Sequence, residues 1–241
     1  TCLTISLEDK NRQAIEKQLK SKSIDWDAVV KVSTAHYVFP ALYCNLKRVD
    51  FLKYLPHELV SYMEDITDLN RERNQQILKQ AQELNSLLLT NNIRPIFLKG
   101  TGNLLAGIYE DIAERMVGDI DFIFSKKDYP RAIAVLREFG YYEVKKRKYY
   151  YPDIDKHYRR LQKDKSIAAI EIHKDFLNIK KYKMEFNYNF VVKDSQVING
   201  ISVLSYANKL NLSIIANQIN DHGFYYKRMA LRNAYDVFLL S

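Results

Sequence analysis

The sequence predicts an α+β fold, with a helical region over residues 1–92, a β-sheet core over 93–203 and a helical segment over 204–241. Two observations lead to this division. The first ninety residues contain no glycine and place apolar residues at helical spacing. From residue 93 onward, short apolar runs are separated by Gly, Pro and Asn, which is typical of strands joined by turns. Hydrophobic residues make up 47% of the 241 residues, enough to bury a substantial core.

The N-terminal region is predicted to be helical throughout. Ile15 and Leu19 are four residues apart, and Val29 and Val32 are three apart, which places each pair on one face of a helix. Pro56 is predicted to open a long helix that runs to about residue 89, because proline is favoured in the first turn of a helix. We expect the apolar face of this long helix to pack on the sheet.

The segment 95–105 reads as a short buried strand, a glycine turn and the start of a helix. This arrangement is typical of phosphate binding, because glycines let the backbone approach an anion and the helix N-terminus offers unpaired N–H groups. Thr101 would add a hydroxyl donor and Lys99 a positive charge. The alternative is an ordinary connection between a strand and a helix. A P-loop is excluded, since its glycine and lysine spacing does not occur.

Two carboxylates lie in an apolar, β-prone run, Gly-Asp-Ile-Asp-Phe-Ile-Phe, at residues 118–124. Because side chains alternate along a strand, Asp119 and Asp121 share one face while Ile120 and Phe122 pack on the other. Two like charges this close repel each other unless a cation or a proton lies between them, and carboxylate oxygens suit Mg²⁺ or Mn²⁺. The alternative is a pair of solvated carboxylates at a strand end.

A third acid lies in the predicted strand 167–173. Ile170 and Ile172 face one way along this strand, and Glu171 and His173 face the other. A buried carboxylate is costly unless it is paired or binds a metal, so Glu171 is a candidate partner of the two aspartates. A glutamate on an open sheet face is the alternative. His173 would orient Glu171 or act as a base, or else be structural.

Turn-forming residues bound the remaining elements. A helix over 129–139 is predicted to end at Gly140, and Asn199-Gly200 is predicted to form a tight hairpin within 197–203. Residues 141–151 and 157–163 are expected to form a charged hairpin, and two helices, near 205–221 and 226–240, are expected to close the chain.

The net charge of +8, from 37 basic and 29 acidic residues, indicates an anionic partner. Much of the excess lies in a basic patch over 145–165, in which tyrosines are interleaved with the cations. The basic residues are Lys145, Lys146, Arg147, Lys148, Lys156, Arg159, Arg160, Lys163 and Lys165, and the tyrosines are Tyr149, Tyr150, Tyr151 and Tyr158. Rings among cations are used to bind single-stranded nucleic acid, and an exposed hairpin is the alternative interpretation.

Several classes of protein are excluded or disfavoured. No apolar run reaches eighteen residues and the N-terminal segment lacks the apolar stretch of a secretion signal, so we expect no membrane association. Cys2 and Cys44 form no disulfide framework or zinc motif, which makes a cytoplasmic location the expectation. The chain begins at Thr1 without a methionine and ends in an apolar run, as a trimmed form of a longer protein would.

Three segments combine into a family pattern: Leu-Lys-Gly-Thr at 98–101, Arg115 with the Asp-Ile-Asp triplet at 119–121, and Ile-Glu-Ile-His at 170–173. Together they resemble the polymerase-β-type nucleotidyltransferase superfamily, whose signature is a glycine turn, a pair of acids on the next strand and a third acid on a later strand. Within it, the chain looks most like a bacterial group with a Leu-Lys-Gly, Arg and Asp-Ile-Asp pattern. The resemblance covers roughly residues 93–240.

Two positions depart from the superfamily pattern. Thr101 stands where serine is common, which keeps the hydroxyl, and Glu171 stands where aspartate is commoner, which lengthens the reach by one methylene. The resemblance extends weakly to Arg228, Arg232 and Asp236, which are spaced four residues apart on the predicted last helix.

The resemblance implies a nucleotidyltransferase-like core with a mixed sheet, and an enzyme that transfers a nucleoside monophosphate from an NTP to an acceptor hydroxyl with release of pyrophosphate. ATP is the first candidate donor. Mg²⁺ or Mn²⁺ would be held by Asp119, Asp121 and Glu171, which would be the catalytic residues. The nucleotide would be bound by Lys99, Gly100, Thr101, Gly102, Arg115 and Arg228.

Alternatives stay open at this point. Arg115 could instead pair structurally with Asp111 or Glu114. The same fold could serve a non-catalytic nucleotide- or RNA-binding module, or a toxin-like transferase that modifies tRNA. The acceptor, whether RNA, a protein or a small molecule, is not encoded in these motifs, and neither is the oligomeric state.

Overall fold

A computed structural model of the chain describes residues 2–144, 156–179 and 182–241. Within these residues, seven strands form one mixed sheet, with helices before it, around it and after it. This architecture confirms the predicted α+β class and its mixed sheet. The predicted boundaries at 92/93 and 203/204 fall between elements, and the division into domains stays a prediction.

Three helices form an N-terminal layer: α1 (Asp9–Lys20), α2 (Trp26–Ala35) and α3 (Phe39–Arg48). The side chain of Asp25 accepts a hydrogen bond from the backbone N–H of Ala28, which satisfies one of the unpaired donors at the start of α2. Apolar residues from α1 and α3, such as Leu19 and Leu46, pack into a core cluster of their own.

The long helix α4 (His57–Thr90) follows Pro56 and confirms the predicted span. The apolar stripe of its second half, which includes Ile77, Leu84 and Leu88, belongs to the same core cluster as the sheet residues Ile120 and Phe122. The expected packing of α4 on the sheet is therefore confirmed.

Buried polar residues of α4 hold the chain on the approach to the second strand. Nδ2 of Asn74 donates to the carbonyls of Ile112 and Arg115 at 2.6 and 2.7 Å, and Nδ2 of Asn70 donates to the carbonyl of Ala113 at 2.6 Å. A 3₁₀ turn, Ile112–Glu114, lies in this loop. Buried backbone carbonyls need partners, so the asparagines fix the path of the loop that leads to the Asp-Ile-Asp segment.

The central strands carry the predicted acids. The second strand runs parallel to the fifth and antiparallel to the first, and the sheet order is β3-β4-β5-β2-β1-β7-β6. The strands are β1 (Ile96–Phe97), β2 (Asp119–Ile123), β3 (Tyr142–Glu143), β4 (Leu161–Gln162), β5 (Ala169–His173), β6 (Gln196–Ile198) and β7 (Ile201–Val203).

Both faces of the central sheet are covered. Ile120 and Phe122 point into the core shared with α4, whereas Ile123 joins a second cluster with Ile96 and Leu98. Strand alternation therefore places Asp119 and Asp121 on the face of this second cluster. A central strand with both faces covered holds its side chains rigidly.

Helices α5 (Lys99–Leu105) and α6 (Asp128–Glu138) follow β1 and β2. Gly140 has a φ of +93° and lies just beyond α6, as predicted. Asn199 and Gly200, with φ values of +50° and +78°, form the predicted tight turn between β6 and β7. In the predicted charged hairpin, Tyr142 pairs with Gln162, and the basic and tyrosine-rich stretch 145–151 lies outside the described residues.

The C-terminal helices differ from prediction at one point. Helix α7 (Tyr188–Val191) is short, and α8 (Tyr206–Ile215) continues as a π-helical turn over Ala216–Asn220, which matches the predicted helix near 205–221. The predicted last helix from residue 226 is instead two helices, α9 (Gly223–Tyr226) and α10 (Leu231–Leu240). The break lies at Lys227, whose φ of +50° is left-handed and cannot continue a right-handed helix.

Among the described residues, no helix combines the length with the apolar content that crossing a bilayer requires.

Candidate active site

The glycines that were predicted to form a turn lie within a helix. Helix α5 begins at Lys99, directly after β1 and Leu98, so Gly100 and Gly102 lie inside its first turns. Lys99 has a φ of +50°, and this left-handed residue makes the change from strand to helix abrupt. The strand-to-helix arrangement is confirmed, but the reversal is made by Lys99 and not by the glycines.

The two glycines allow α5 to pack closely on its surroundings. A Cβ atom on Gly102 would lie 2.6 Å from the carbonyl oxygen of Phe97, and one on Gly100 would lie 3.0 Å from Cγ2 of Val117. Thr101 is fully buried, and its hydroxyl donates to the carbonyl of Asp119 at 3.1 Å. These three residues therefore join α5 to β1 and β2 through packing and one hydrogen bond.

The register of β2 and β5 brings two of the predicted acids together. Asp121 is the direct partner of Glu171 in this parallel pair. Nε2 of His173 lies 2.8 Å from Oδ1 of Asp121 and 3.8 Å from Oε2 of Glu171. One ligand atom from each of Asp121, Glu171 and His173 falls within 4.8 Å of the others, so these residues could hold a metal ion.

Lys99 neutralises part of this acidic cluster. Its ammonium group contacts Oδ1 of Asp121 and lies 3.7 Å from Oε2 of Glu171. Burial lowers the pKa of Lys99, but the charges of Asp121 and Glu171 outweigh that effect and raise it above its usual range. Lys99 therefore stays charged beside the acids.

The pKa values of the two acids in the cluster, Asp121 and Glu171, are shifted in opposite directions. Burial raises the pKa of Asp121, but the charge of Lys99 and the hydrogen bond with His173 bring it well below its usual range. Burial and the charge of Asp121 raise the pKa of Glu171 to about 7. Burial and the nearby charge of Lys99 lower the pKa of His173 to about 4, so its imidazole is neutral at pH 7. Two adjacent carboxyls with divergent pKa values are common at catalytic sites.

Asp119 stands at the edge of the cluster. Asp119 is the first residue of β2 and pairs with Ala169 of β5. Its Oδ2 lies 3.5 Å from a guanidinium nitrogen of Arg160. Burial and the charge of Asp121 raise the pKa of Asp119. Asp119 shares the sheet face with Asp121 as predicted, but the compact group of possible ligands includes His173 in its place. Its part in metal binding stays a prediction.

The donor set is chemically suited to a divalent cation. Two carboxylates and an imidazole are ligands that Mn²⁺ accepts, and carboxylates alone suit Mg²⁺. Nδ1 of His173 is buried and has no hydrogen-bond partner among the described residues. Nε2 donates a hydrogen bond to the carboxylate of Asp121, so the neutral imidazole carries its lone pair on Nδ1, and Nε2 would have to lose its proton to bind a metal.

Arg115 pairs with neither of its predicted partners, Asp111 or Glu114. Its Nε and a terminal nitrogen lie 3.0–3.1 Å from the carboxylate of Asp236, on α10. The hydroxyl of Tyr109 donates to the same carboxylate at 2.7 Å. This buried network ties the loop before β2 to the last helix, and it supports a structural role for Arg115.

A polar cavity of about 130 Å³ lies between the acidic cluster and the C-terminal helices. Among the described residues, five basic side chains and two acidic ones line it, which makes it suited to an anion. The basic residues are Lys99, Arg115, Lys156, Lys209 and Arg232, and the acidic ones are Asp221 and Asp236.

Two lysines of this cavity had no assigned role from the sequence: Lys156 was named only as part of the basic patch over 145–165, and Lys209 was not singled out. Both are partly or fully buried, and burial lowers the pKa of each, to about 8 for Lys209. Lys209 lies among apolar residues of helix α8, and this position in the sequence could have indicated a buried lysine. Arg228, predicted to bind nucleotide, is exposed and is not part of the cavity lining, whereas Arg232 on α10 is.

Comparison with known proteins agrees with this geometry. No curated protein and no solved structure matches the chain. A family model described as an uncharacterised nucleotidyltransferase matches residues 22–241, which includes every residue of the acidic cluster and of the cavity. The chain therefore belongs to this nucleotidyltransferase family.

Proposed function

We propose that this protein is a metal-dependent nucleotidyltransferase that moves a nucleoside monophosphate from an NTP to an acceptor hydroxyl and releases pyrophosphate. One observation carries the proposal. Asp121 and Glu171 are paired across adjacent parallel strands, beside a cavity lined mostly by cations. Acids that can hold a metal next to a site for an anion are what transfer from a triphosphate requires.

Asp121 and Glu171 would hold the metal, with His173 as a third ligand and Asp119 at the edge. Mg²⁺ or Mn²⁺ is the proposed ion. When bound, it supplies positive charge to the triphosphate oxygens and lowers the pKa of the attacking hydroxyl. The mixed oxygen and nitrogen ligands favour Mn²⁺ if His173 takes part.

The triphosphate would occupy the cavity. Lys156, Lys209 and Arg232 come from three separate parts of the chain and converge there, which supports a role in binding phosphate oxygens. Lys99 would balance charge between the acids and the phosphates. Gly100, Thr101 and Gly102 would place the start of α5 against the triphosphate, and Arg115 would act through Asp236 to position α10.

In the proposed reaction, the acceptor oxygen bonds to the α-phosphorus while the bond from that phosphorus to the pyrophosphate oxygen breaks. The proton of the acceptor hydroxyl passes to the carboxylate of Glu171. Pyrophosphate leaves with the negative charge, which the basic side chains of the cavity neutralise.

Calorimetric binding of ATP, GTP, CTP and UTP, with Mg²⁺ or Mn²⁺ and again with EDTA, tests the proposal. We expect metal-dependent binding of at least one nucleotide, with ATP as the first candidate. Asp121→Asn should abolish the metal dependence, and Arg232→Gln should weaken binding about tenfold through a lost charge-assisted hydrogen bond.

Asp65→Asn, an exposed charge change on α4, serves as the control and should behave as the unaltered protein does. Metal-dependent binding without pyrophosphate release under any acceptor condition would favour a non-catalytic nucleotide-binding module. No nucleotide binding to the unaltered protein would contradict the proposal.

A further inference from the structure

An exposed stretch of aromatic and basic residues lies between α8 and α10. We call it the aromatic-basic segment, and it consists of Phe224, Tyr225, Tyr226, Lys227, Arg228 and Met229. The exposed fractions of Phe224, Tyr225 and Tyr226 are 82, 77 and 57%, and that of Met229 is 63%. Isolated exposed apolar residues are ordinary, but a contiguous exposed group of this size marks a binding surface.

The backbone holds this segment in a defined shape. His222 and Lys227, with φ values of +57° and +50°, bracket α9 in left-handed conformations. A Cβ on Gly223 would lie 2.7 Å from the carbonyl oxygen of Asn217 and 2.9 Å from that of Arg228, so only glycine allows this close approach. The backbone N–H of Arg228 donates to the carbonyl of Gly223 at 2.9 Å. The rings are therefore presented by a closed, hydrogen-bonded turn.

The ring arrangement leaves aromatic faces toward solvent. Tyr225 and Tyr226 meet edge to face with centroids 5.0 Å apart, and Cζ of Arg228 lies 5.4 Å from the ring centre of Tyr226. Phe224 projects with most of its surface exposed. Exposed ring faces next to guanidinium and ammonium groups are the elements that stack unpaired bases and contact phosphates.

Residues that line the proposed active-site cavity flank the segment in the chain. Ala216 and Asp221, which line the cavity, come before the segment, and Arg232, which also lines it, follows three residues after Met229. A ligand bound to the segment would thus extend toward the cavity and the acids beyond it. This position suits an acceptor more than a donor whose phosphates fill the cavity.

We propose that the aromatic-basic segment binds a single-stranded nucleic acid and presents its terminal hydroxyl to the active site. The identification of this strand as the acceptor rests on the proposed nucleotidyltransferase function, whereas the binding itself does not. Bases would stack on Phe224 and Tyr225, and Lys227 and Arg228 would contact phosphates.

Charge complementarity favours a nucleic acid over a polypeptide as the occupant. No acidic residue occurs between His222 and Tyr235, and the whole chain carries a net charge of +8. A polypeptide partner would bury the apolar rings but would leave Lys227 and Arg228 without a regular array of anions. A nucleic acid strand supplies bases and phosphates in alternation.

Fluorescence anisotropy of a labelled 12-nucleotide single-stranded RNA, across a range of salt concentrations, tests this inference. We expect Phe224→Ser/Tyr225→Ser to weaken binding by about tenfold or more for each ring removed. Lys227→Gln/Arg228→Gln should reduce the slope of log affinity against log salt by about 1.4, since each phosphate contact on a single strand contributes about 0.7. The same RNA in a duplex, with its base faces hidden, should bind more weakly.

The control variant Tyr62→Ser/Lys31→Gln removes an exposed aromatic and an exposed cation on other helices, and it should bind the RNA unchanged. Circular dichroism and thermal unfolding of each variant establish that it is folded. Absent binding, equal binding of strand and duplex, or unchanged binding by both segment variants would overturn the inference, and the last would point to a protein partner.

Measurement of RNA binding in EDTA separates this inference from the proposed function. At constant ionic strength the unaltered protein should still bind RNA, because the segment contains no residue of the proposed metal site. RNA binding without any nucleotide transfer would sustain the binding surface and contradict only the enzymatic proposal.

Discussion

Asp121 and Glu171 lie directly opposite each other on β2 and β5, and the ammonium group of Lys99 contacts one carboxylate and lies 3.7 Å from the other. The protein thus supplies its own cation to a pair of acids that would otherwise repel each other. This relationship determines how the stability of the protein should respond to metal ions and to pH.

Replacing Lys99 should make the fold dependent on a divalent cation. Lys99→Met removes the ammonium group and leaves Asp121 buried without its cation, which should destabilise the protein by about 1–3 kcal/mol in EDTA. Mg²⁺ or Mn²⁺ should then restore more of the melting temperature than it adds to the unaltered protein. Thermal unfolding with and without metal measures this.

Lys53→Met is the control, because the pair of Lys53 with Asp50 is exposed, so its loss should change the stability little and show no response to metal. A Lys99→Met protein that is destabilised but gains nothing from either metal would argue against a metal site at Asp121 and Glu171.

Glu171 and His173 should have opposing effects on stability in the metal-free protein. The folded-state pKa of Glu171, about 7, lies above its usual 4.5, so its contribution is full below pH 4.5 and is lost as pH rises through 7. The folded-state pKa of His173, about 4, lies below its usual 6.5, so its contribution is present above pH 6.5 and is lost as pH falls through 4. Each amounts to about 3 kcal/mol at most, and the two largely cancel between pH 4.5 and 6.5.

Single substitutions should separate the pH dependence of stability that Glu171 causes from the one that His173 causes. In EDTA, Glu171→Gln should become more stable as pH rises from 4 to 6.5, and His173→Gln should become less stable as pH rises from 4.5 to 7. Urea unfolding at several pH values gives both slopes. Two variants with the same pH profile as the unaltered protein would show that these groups are not perturbed as described.

Gly102→Ala should destabilise the protein, because the added methyl would lie 2.6 Å from the carbonyl oxygen of Phe97. Overpacking against backbone typically costs about 1–3 kcal/mol. Gly118→Ala is the matched control, since its methyl would meet no atom within 4 Å. Equal stabilities of the two variants in urea would contradict the close packing of α5 on β1.

Asp236→Ala should be strongly destabilising, because it leaves the guanidinium of Arg115 buried without its carboxylate. Loss of one partner from a buried pair costs about 3–5 kcal/mol. Tyr109→Phe removes one hydrogen bond to the same carboxylate and should cost about 1 kcal/mol.

Asp50→Asn removes the charge from the exposed pair with Lys53 and keeps a side chain that tolerates the left-handed φ of +57° at this position, so it should leave the free energy of unfolding nearly unchanged. If Asp236→Ala and Asp50→Asn unfold at the same urea concentration, the buried network is not a structural element, and a direct nucleotide role for Arg115 regains support.

Local patterns in the sequence were enough to predict several elements. Pro56 and the apolar spacing after it predicted α4, Asn199-Gly200 predicted the last hairpin, and alternation placed Asp119 and Asp121 on one face of β2. These features depend on residues that are close together in the chain, so a single sequence contains the information needed to predict them. The fold class followed because the change from helical to alternating periodicity is also local.

Tertiary structure decided the rest of the site, because the deciding contacts join residues far apart in the chain. Only the register of β2 against β5 placed Glu171 and His173 beside Asp121, and only the docking of α10 gave Arg115 its partner Asp236, 121 residues away. The cations of the cavity likewise converge from separate segments. Periodicity and spacing determined which side chains could carry the chemistry, and long-range packing decided which of them meet.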